Sequence, residues 1–283
     1  MTQSKTLVRI RFAGIVILGL IIIIPFLYMV IMSLTPDSEV GDGTLFPSHW
    51  AWGNYVTMWS NIGLGQYLMN SVIISAATGF LATVVAFGAA YVISRFQFRG
   101  RKVFLYSLIT MQTVPQVMML LPLFIVIVFI QQAFGIRLVG QYYTIVITYL
   151  TFALPFACWL LISYFENIPI DLEEAAQVDG ATRLQLLFRV VLPLMLPGMV
   201  VAFVFSFLLS WGDVLFASVL TSNTTRTIGV GLQAFLSAGD AGGGVYWGQL
   251  MAASLTSGIP IVVIFLLLQR YILGGLTSGA VKS

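Results

Sequence analysis

The chain has 283 residues, of which 59% are hydrophobic and only 8% charged, with a formal net charge of +3. A mean hydropathy of +0.99 is too high for a soluble domain of this length, which could not hide so much apolar surface. The small positive charge belongs to membrane topology and excludes a nucleic-acid-binding patch.

Residues 12–34 carry no charge. As a helix they reach about 35 Å, enough to cover a hydrocarbon core of roughly 30 Å. Lys5, Arg9 and Arg11 precede them, as in a signal peptide. The apolar core is nevertheless too long for an h-region, and Ser33-Leu34-Thr35-Pro36 has no small-x-small cleavage site, so the segment reads as an uncleaved helix. Further spans are expected at 68–94, 103–130, 142–165, 195–219 and 248–269. The predicted fold class is therefore all-α, a polytopic membrane protein with six transmembrane helices in one domain covering 1–283.

Lysine and arginine set the orientation. With the N-terminus in the cytoplasm, the inner segments hold Lys5, Arg9, Arg11, Arg95, Arg99, Arg101, Lys102, Arg183, Arg189, Arg270 and Lys282. The outer segments hold only Arg137 and Arg226. Both termini are thus predicted to be cytoplasmic. The longest outer segments, about 35–66 and 221–247, read as loops, and 239–244 has the glycine-rich composition of a flexible linker.

Within span three, Gln112, Thr113 and Gln116 surround Pro115. A proline frees backbone carbonyls, so these groups either line a polar cavity or join neighbouring helices. Cys158 in span four has no disulfide partner and no metal spacing, and reads as a small apolar filler. His49 lies in an outer loop and reads as solvated. No histidine-rich or cysteine-rich metal pattern is present in the sequence.

The segment 166–192 breaks the apolar pattern with four carboxylates gathered between 171 and 179: Asp171, Glu173, Glu174 and Asp179. It reads as two short helices on the cytoplasmic side. Asp171 and Glu174 have the spacing of a capping box, and the acidic first turn suits the positive end of the helix dipole. Gly180 fits the left-handed stop position. Thr182 and Gln185 have the spacing of a second box, opening a helix that Pro193 limits. The first helix is too short to persist alone in water, and Leu172, Ala175 and Ala176 share one face. Such a hairpin either plugs a partner's groove or packs on its own bundle.

These residues resemble a known motif. Glu174-Ala175-Ala176, three residues, Gly180, nine residues, then Val190-Val191-Leu192-Pro193 is similar to the EAA motif of ABC-importer permeases, with Val190 in place of isoleucine. Asp179-Gly180-Ala181 and Pro197 match its usual extension. The resemblance implies the type I ABC importer permease fold. It also implies that Glu173, Glu174, Ala175, Ala176, Asp179, Gly180, Ala181, Leu192 and Pro193 form a coupling element seated in a cleft of an ATP-hydrolysing subunit. Asn70-Ser71, the loop from Tyr91 to Lys102 and the ending Gly275 to Lys282 resemble the carbohydrate-uptake, maltose-permease-like branch. In that branch the tail reaches the ATPase dimer, which implies the same for Gly279, Ala280, Val281 and Lys282.

One departure stands out. The branch has Trp-Asn-Asp in span five, whereas this chain has Trp211-Gly212-Asp213. Asp213 either marks a translocation path or bonds within the bundle or at its outer edge. Trp159 and Trp211 are either sugar-stacking faces or ordinary interfacial tryptophans.

The sequence has no Gly-x4-Gly-Lys-Ser/Thr phosphate loop, so the expected energy source is a partner, and ATP with magnesium is expected on that partner. No catalytic constellation is evident, so the chain is not expected to be an enzyme. The resemblance implies a translocation subunit of a sugar importer in a bacterial or archaeal plasma membrane. Its partners would be a second permease, two ATP-binding subunits and an extracellular substrate-binding protein. The rival reading, an ion- or proton-coupled secondary transporter, asks for mid-membrane ionisable residues and repeated halves, and only Asp213 answers to that.

Overall fold

The computed structural model describes residues 5–40, 45–238 and 246–278. Among them the structure is helical, with no strand. Chain order gives α1 (Lys5–Ser33), α2 (Asn54–Asn61), α3 (Leu64–Arg95), α4 (Arg101–Thr113), α5 (Gln116–Phe134) and α6 (Tyr142–Phe165). Next come α7 (Asp171–Val178), α8 (Arg183–Leu186), a π-helical turn (Leu187–Val191) and α9 (Leu192–Trp211). The last three are α10 (Leu215–Leu220), α11 (Ile228–Ala238) and α12 (Trp247–Ser278). Six described helices are long and apolar enough to cross a membrane.

The chain forms two compact units. The first takes in the chain up to Gly65 together with Gly231–Ile259, the second Gln66–Val230 and the chain from Pro260 onward. In the first, the buried Asn54 amide donates to the Ser33 and Thr35 carbonyls at 3.0 and 3.2 Å, satisfying the open end of α1. Asp37 Oδ1 accepts the Gly248 amide at 2.9 Å near the start of α12, where the helix has no carbonyl of its own to offer.

The second unit is built around α6. Tyr149, Ala153, Ala157, Leu161 and Phe165 recur every fourth residue, share one face of the helix and are all fully buried. Ala86 and Ala90 of α3 and Ala202 of α9 share one core with Ala157, Leu161 and Phe165, while Tyr149 belongs to a second core with Ile74, Ile145 and Phe216. Small side chains here let backbones come close, which is how helices associate when lipid removes the hydrophobic driving force. Gly198 of α9 shows the limit: a Cβ there would lie 2.7 Å from Cγ of Tyr164.

The structure corrects four expectations. The span expected at 103–130 is broken, because Val114 is extended and Pro115 caps a new helix. Proline disfavours a helical residue before it, so α4 is a separate helix and α5 alone is long and apolar enough to cross a membrane. The span expected at 195–219 stops at Trp211; after Gly212, α10 is a separate short helix. Asp171 is the first helical residue of α7 and not its cap: the flanking residue is Ile170, with no side-chain cap bond. Pro193 does not limit the helix that Thr182 opens. The π-helical turn, in which the Leu192 amide reaches back to the Leu187 carbonyl, carries the chain through into α9 with Pro193 in its first turn.

Candidate functional site

The hairpin between α6 and α9 owes its shape to two local devices. At the end of α7, Gly180 takes φ +84°, which a side chain would resist. The Gly180 amide donates to the Gln177 carbonyl and the Ala181 amide to the Ala176 carbonyl, each at 3.0 Å, completing a Schellman stop. At the start of α8 the expected box is present. The Gln185 amide donates to Thr182 Oγ1 at 3.3 Å, and the Thr182 amide donates to Gln185 Oε1 at 2.9 Å.

The two adjacent glutamates part company. Glu173 is buried and faces Arg95, whose Nε donates to Glu173 Oε1 at 2.6 Å. Glu174 and Ala175 are exposed, while Ala176 is half-buried against the bundle core. Asp179, Gly180 and Ala181 line a cleft of about 310 Å³ with Gln185 and Arg189. Leu192 is half-buried at the core and Pro193 is exposed. The outward surface also shows Val178 at 87%, Leu184 at 69% and Phe188 at 58% exposure. A small helical hairpin with exposed apolar groups beside Glu174 is chemically equipped to seat in a groove that offers apolar lining and a cation.

A second feature is a cavity of about 560 Å³ between α4, α5, α6 and α9. Gln112 and Gln116, on either side of Pro115, both line it, together with Thr151, Phe152, Phe156 and Phe205. The lining is mostly apolar and aromatic, with two amides and a hydroxyl as its polar groups, the composition usual for a small-molecule site. The phenylalanines escaped the sequence reading; Phe152 and Phe156, four apart beside Pro155, were the available signal.

The other path candidates lie elsewhere. Thr113 bonds back to the Thr110 carbonyl at 2.7 Å. Trp159 borders a separate cleft of about 340 Å³ with Lys102, Tyr106 and Glu166. Trp211 is buried and stacked on Phe207, ring centroids 5.4 Å apart. Asp213 Oδ2 accepts the Tyr149 hydroxyl at 2.8 Å and the Ala217 amide at 3.0 Å, the intra-bundle alternative of the two readings. The tail candidates Gly279, Ala280, Val281 and Lys282 lie outside the described residues. No cluster of three or more metal-ligating side chains is found among the described residues.

Comparison with known proteins agrees with this anatomy. Residues 82–278 match the family model for the inner membrane component of binding-protein-dependent transport systems. The inner membrane ABC transporter permease protein YcjP of Escherichia coli is 35% identical, with 99% of each chain covered. The trehalose/maltose transport system permease protein MalG of Thermococcus litoralis is 32% identical over 95% of each chain. Among solved structures, a bacterial ABC transporter involved in the import of the acidic polysaccharide alginate superposes with a TM-score of 0.75. Its matched chain is 22% identical, with 96% of this chain and 99% of that one covered. Six apolar helices, an acidic hairpin between two of them and this match over most of its length give one conclusion: the chain belongs to the family of binding-protein-dependent transport system inner membrane components, and is a membrane-embedded transport subunit, not an enzyme.

Proposed function

We propose that the chain is the translocation subunit of an ATP-driven sugar importer, with both termini in the cytoplasm. It works with a second permease chain, two ATP-binding subunits that hold ATP and magnesium, and an extracellular substrate-binding protein. Relatives named for trehalose/maltose, diacetylchitobiose and trehalose uptake support the carbohydrate class. A solved alginate transporter in complex with an oligosaccharide-bound periplasmic protein has the same fold and supports the binding-protein partner.

The observation that carries the coupling role is the exposed Glu174-Ala175 edge of a hairpin locked by the Schellman stop at Gly180. Glu174 meets a basic group in the ATPase cleft, Ala175 allows close approach, and the Gly180 turn fixes the angle between the two helices. ATP-driven closure of the ATPase pair displaces the hairpin, and the bundle passes from inward-open to outward-open. Gln112 and Gln116 face the solute, whereas Asp213, Trp211 and Thr113 serve the bundle.

Co-purification with the ATPase subunit tests the reading. Wild type retains the ATPase in detergent and Glu174→Lys loses it, while both insert and retain the second permease. Equal retention by the two would sink the docking role of this edge.

A further inference from the structure

The hairpin is joined in sequence to α6 before it and to α9 after it. Arg95, the last residue of α3, adds a joint that the sequence does not supply. Its Nε donates to Glu173 Oε1 at 2.6 Å and its Nη2 donates to the Ile168 carbonyl at 3.0 Å. Its guanidinium also lies 5.6 Å from the centroid of the Phe165 ring. One side chain therefore grips the end of α6, the connecting segment and α7.

The joint is largely buried at the edge of a cleft of about 220 Å³. Side-chain exposure is 11% for Arg95 and 6% for Glu173, so separating the pair leaves each charge poorly solvated. The Nε contact is charge-assisted, and the carbonyl contact fixes the plane of the guanidinium as well. A second cation repeats the connection in reverse: Arg183 of α8 sits 5.9 Å from the centroid of Phe96, the residue after Arg95. A solvated loop would need neither contact.

We propose that Arg95 and Glu173 form a positioning brace that makes α3 and the hairpin move as one body. Displacement of the hairpin is then delivered directly to the second membrane span, as well as to the two helices joined to it in sequence. Because α3 runs 32 residues, roughly 48 Å, a tilt imposed at Arg95 is carried across the whole bilayer. The proposal rests on the hairpin being the element that docks on the ATPase. It separates the glutamates by task, Glu174 for the partner and Glu173 for transmission.

The test uses the full complex in proteoliposomes with its binding protein, reading solute moved per ATP hydrolysed. Arg95→Gln and Glu173→Gln are expected to keep the ATPase bound and to lower that ratio about tenfold or more, since a broken buried pair is costly. The exchange Arg95→Glu with Glu173→Arg is expected to recover much of it. Single variants that transport at the wild-type ratio overturn the brace. A second measurement leaves the pair intact. Spin labels at the exposed positions Val92 and Asp171 are expected to keep one distance between nucleotide-free and ATP-trapped complexes, and a changed distance overturns the proposal. Glu174→Lys runs in parallel: loss of ATPase there upholds docking whatever the brace does, and retention sinks docking without touching the label distances.

Discussion

The Tyr149 hydroxyl donates to Asp213 Oδ2 at 2.8 Å, tying the middle of α6 to the break between α9 and α10. The same oxygen accepts the Ala217 amide at 3.0 Å and so closes the first turn of α10. A carboxylate among apolar helices is costly unless satisfied, and here a hydroxyl and an amide satisfy it.

Removing either partner is therefore expected to destabilise the bundle. Asp213→Ala should cost about 1–3 kcal/mol, since it strands the Tyr149 hydroxyl and takes the acceptor from the Ala217 amide in the first turn of α10. Tyr149→Phe should cost less, and the double variant should cost less than the sum of the two. Asp213→Asn keeps an acceptor and should be mild. Thermal unfolding of the purified complex measures all four.

Two glycines should respond in opposite places. Gly180→Ala forces a side chain into the left-handed region and should cost about 1–2 kcal/mol locally, loosening the hairpin while the bundle stays folded. Gly198→Val pushes a side chain into the Tyr164 ring and should prevent α6 and α9 from packing. ATPase binding and yield in the membrane distinguish these outcomes: the first variant loses binding, the second loses yield.

Asp37 gives a pH dependence with a definite sign. Burial pushes its carboxyl above the usual range, against the opposing pull of the Gly248 amide. A raised folded-state value means that the stability tied to the protonated form is present at low pH and fades as pH rises through it. Asp37→Asn keeps the acceptor for Gly248 and removes the charge, so it should flatten the acid side of the stability profile without lowering stability at neutral pH. Asp37→Ala loses the acceptor and should cost about 1 kcal/mol. Unfolding midpoints between mildly acid and neutral pH give the comparison.

The cavity beside α5 makes a kinetic prediction. Gln112→Ala, Gln116→Ala and Phe156→Ala should each slow uptake several-fold, while assembly and basal ATP hydrolysis persist. The solute concentration giving half-maximal uptake should stay put, because the binding protein sets capture. Uptake by reconstituted complex against solute concentration would show it. Unchanged maximal uptake in all three would remove these residues from the path.

Much of this architecture was legible in the sequence. The apolar run at 142–165 became α6 at its predicted ends, because Gln141 and Glu166 flank it as polar stops. Hydropathy did not see the break at Pro115, since α4 and α5 are apolar on both sides of it. The capping pattern at Thr182 and Gln185 held, for both groups are local. The one at Asp171 failed because the Ile170 carbonyl already takes the Glu173 and Glu174 amides. In α7 the usual sense of inside and outside is reversed: Leu172 and Ala175 face out, and charged Glu173 faces in. Only Arg95, 78 residues away, explains that, and no local pattern contains it.

The π-helical turn at Leu187–Val191 sets a phase between two parts of one continuous rod. Such a turn holds one residue more than an α ladder of the same length, so everything before it is rotated by about 100° relative to where an unbroken α-helix would put it. The azimuth at which α8 and Glu174 leave the membrane helix is thus written by a single extra residue. Deleting one residue between 187 and 191 would straighten the ladder and swing the hairpin around the axis of α9. It would carry Glu173 away from Arg95 with every individual side chain still in the sequence.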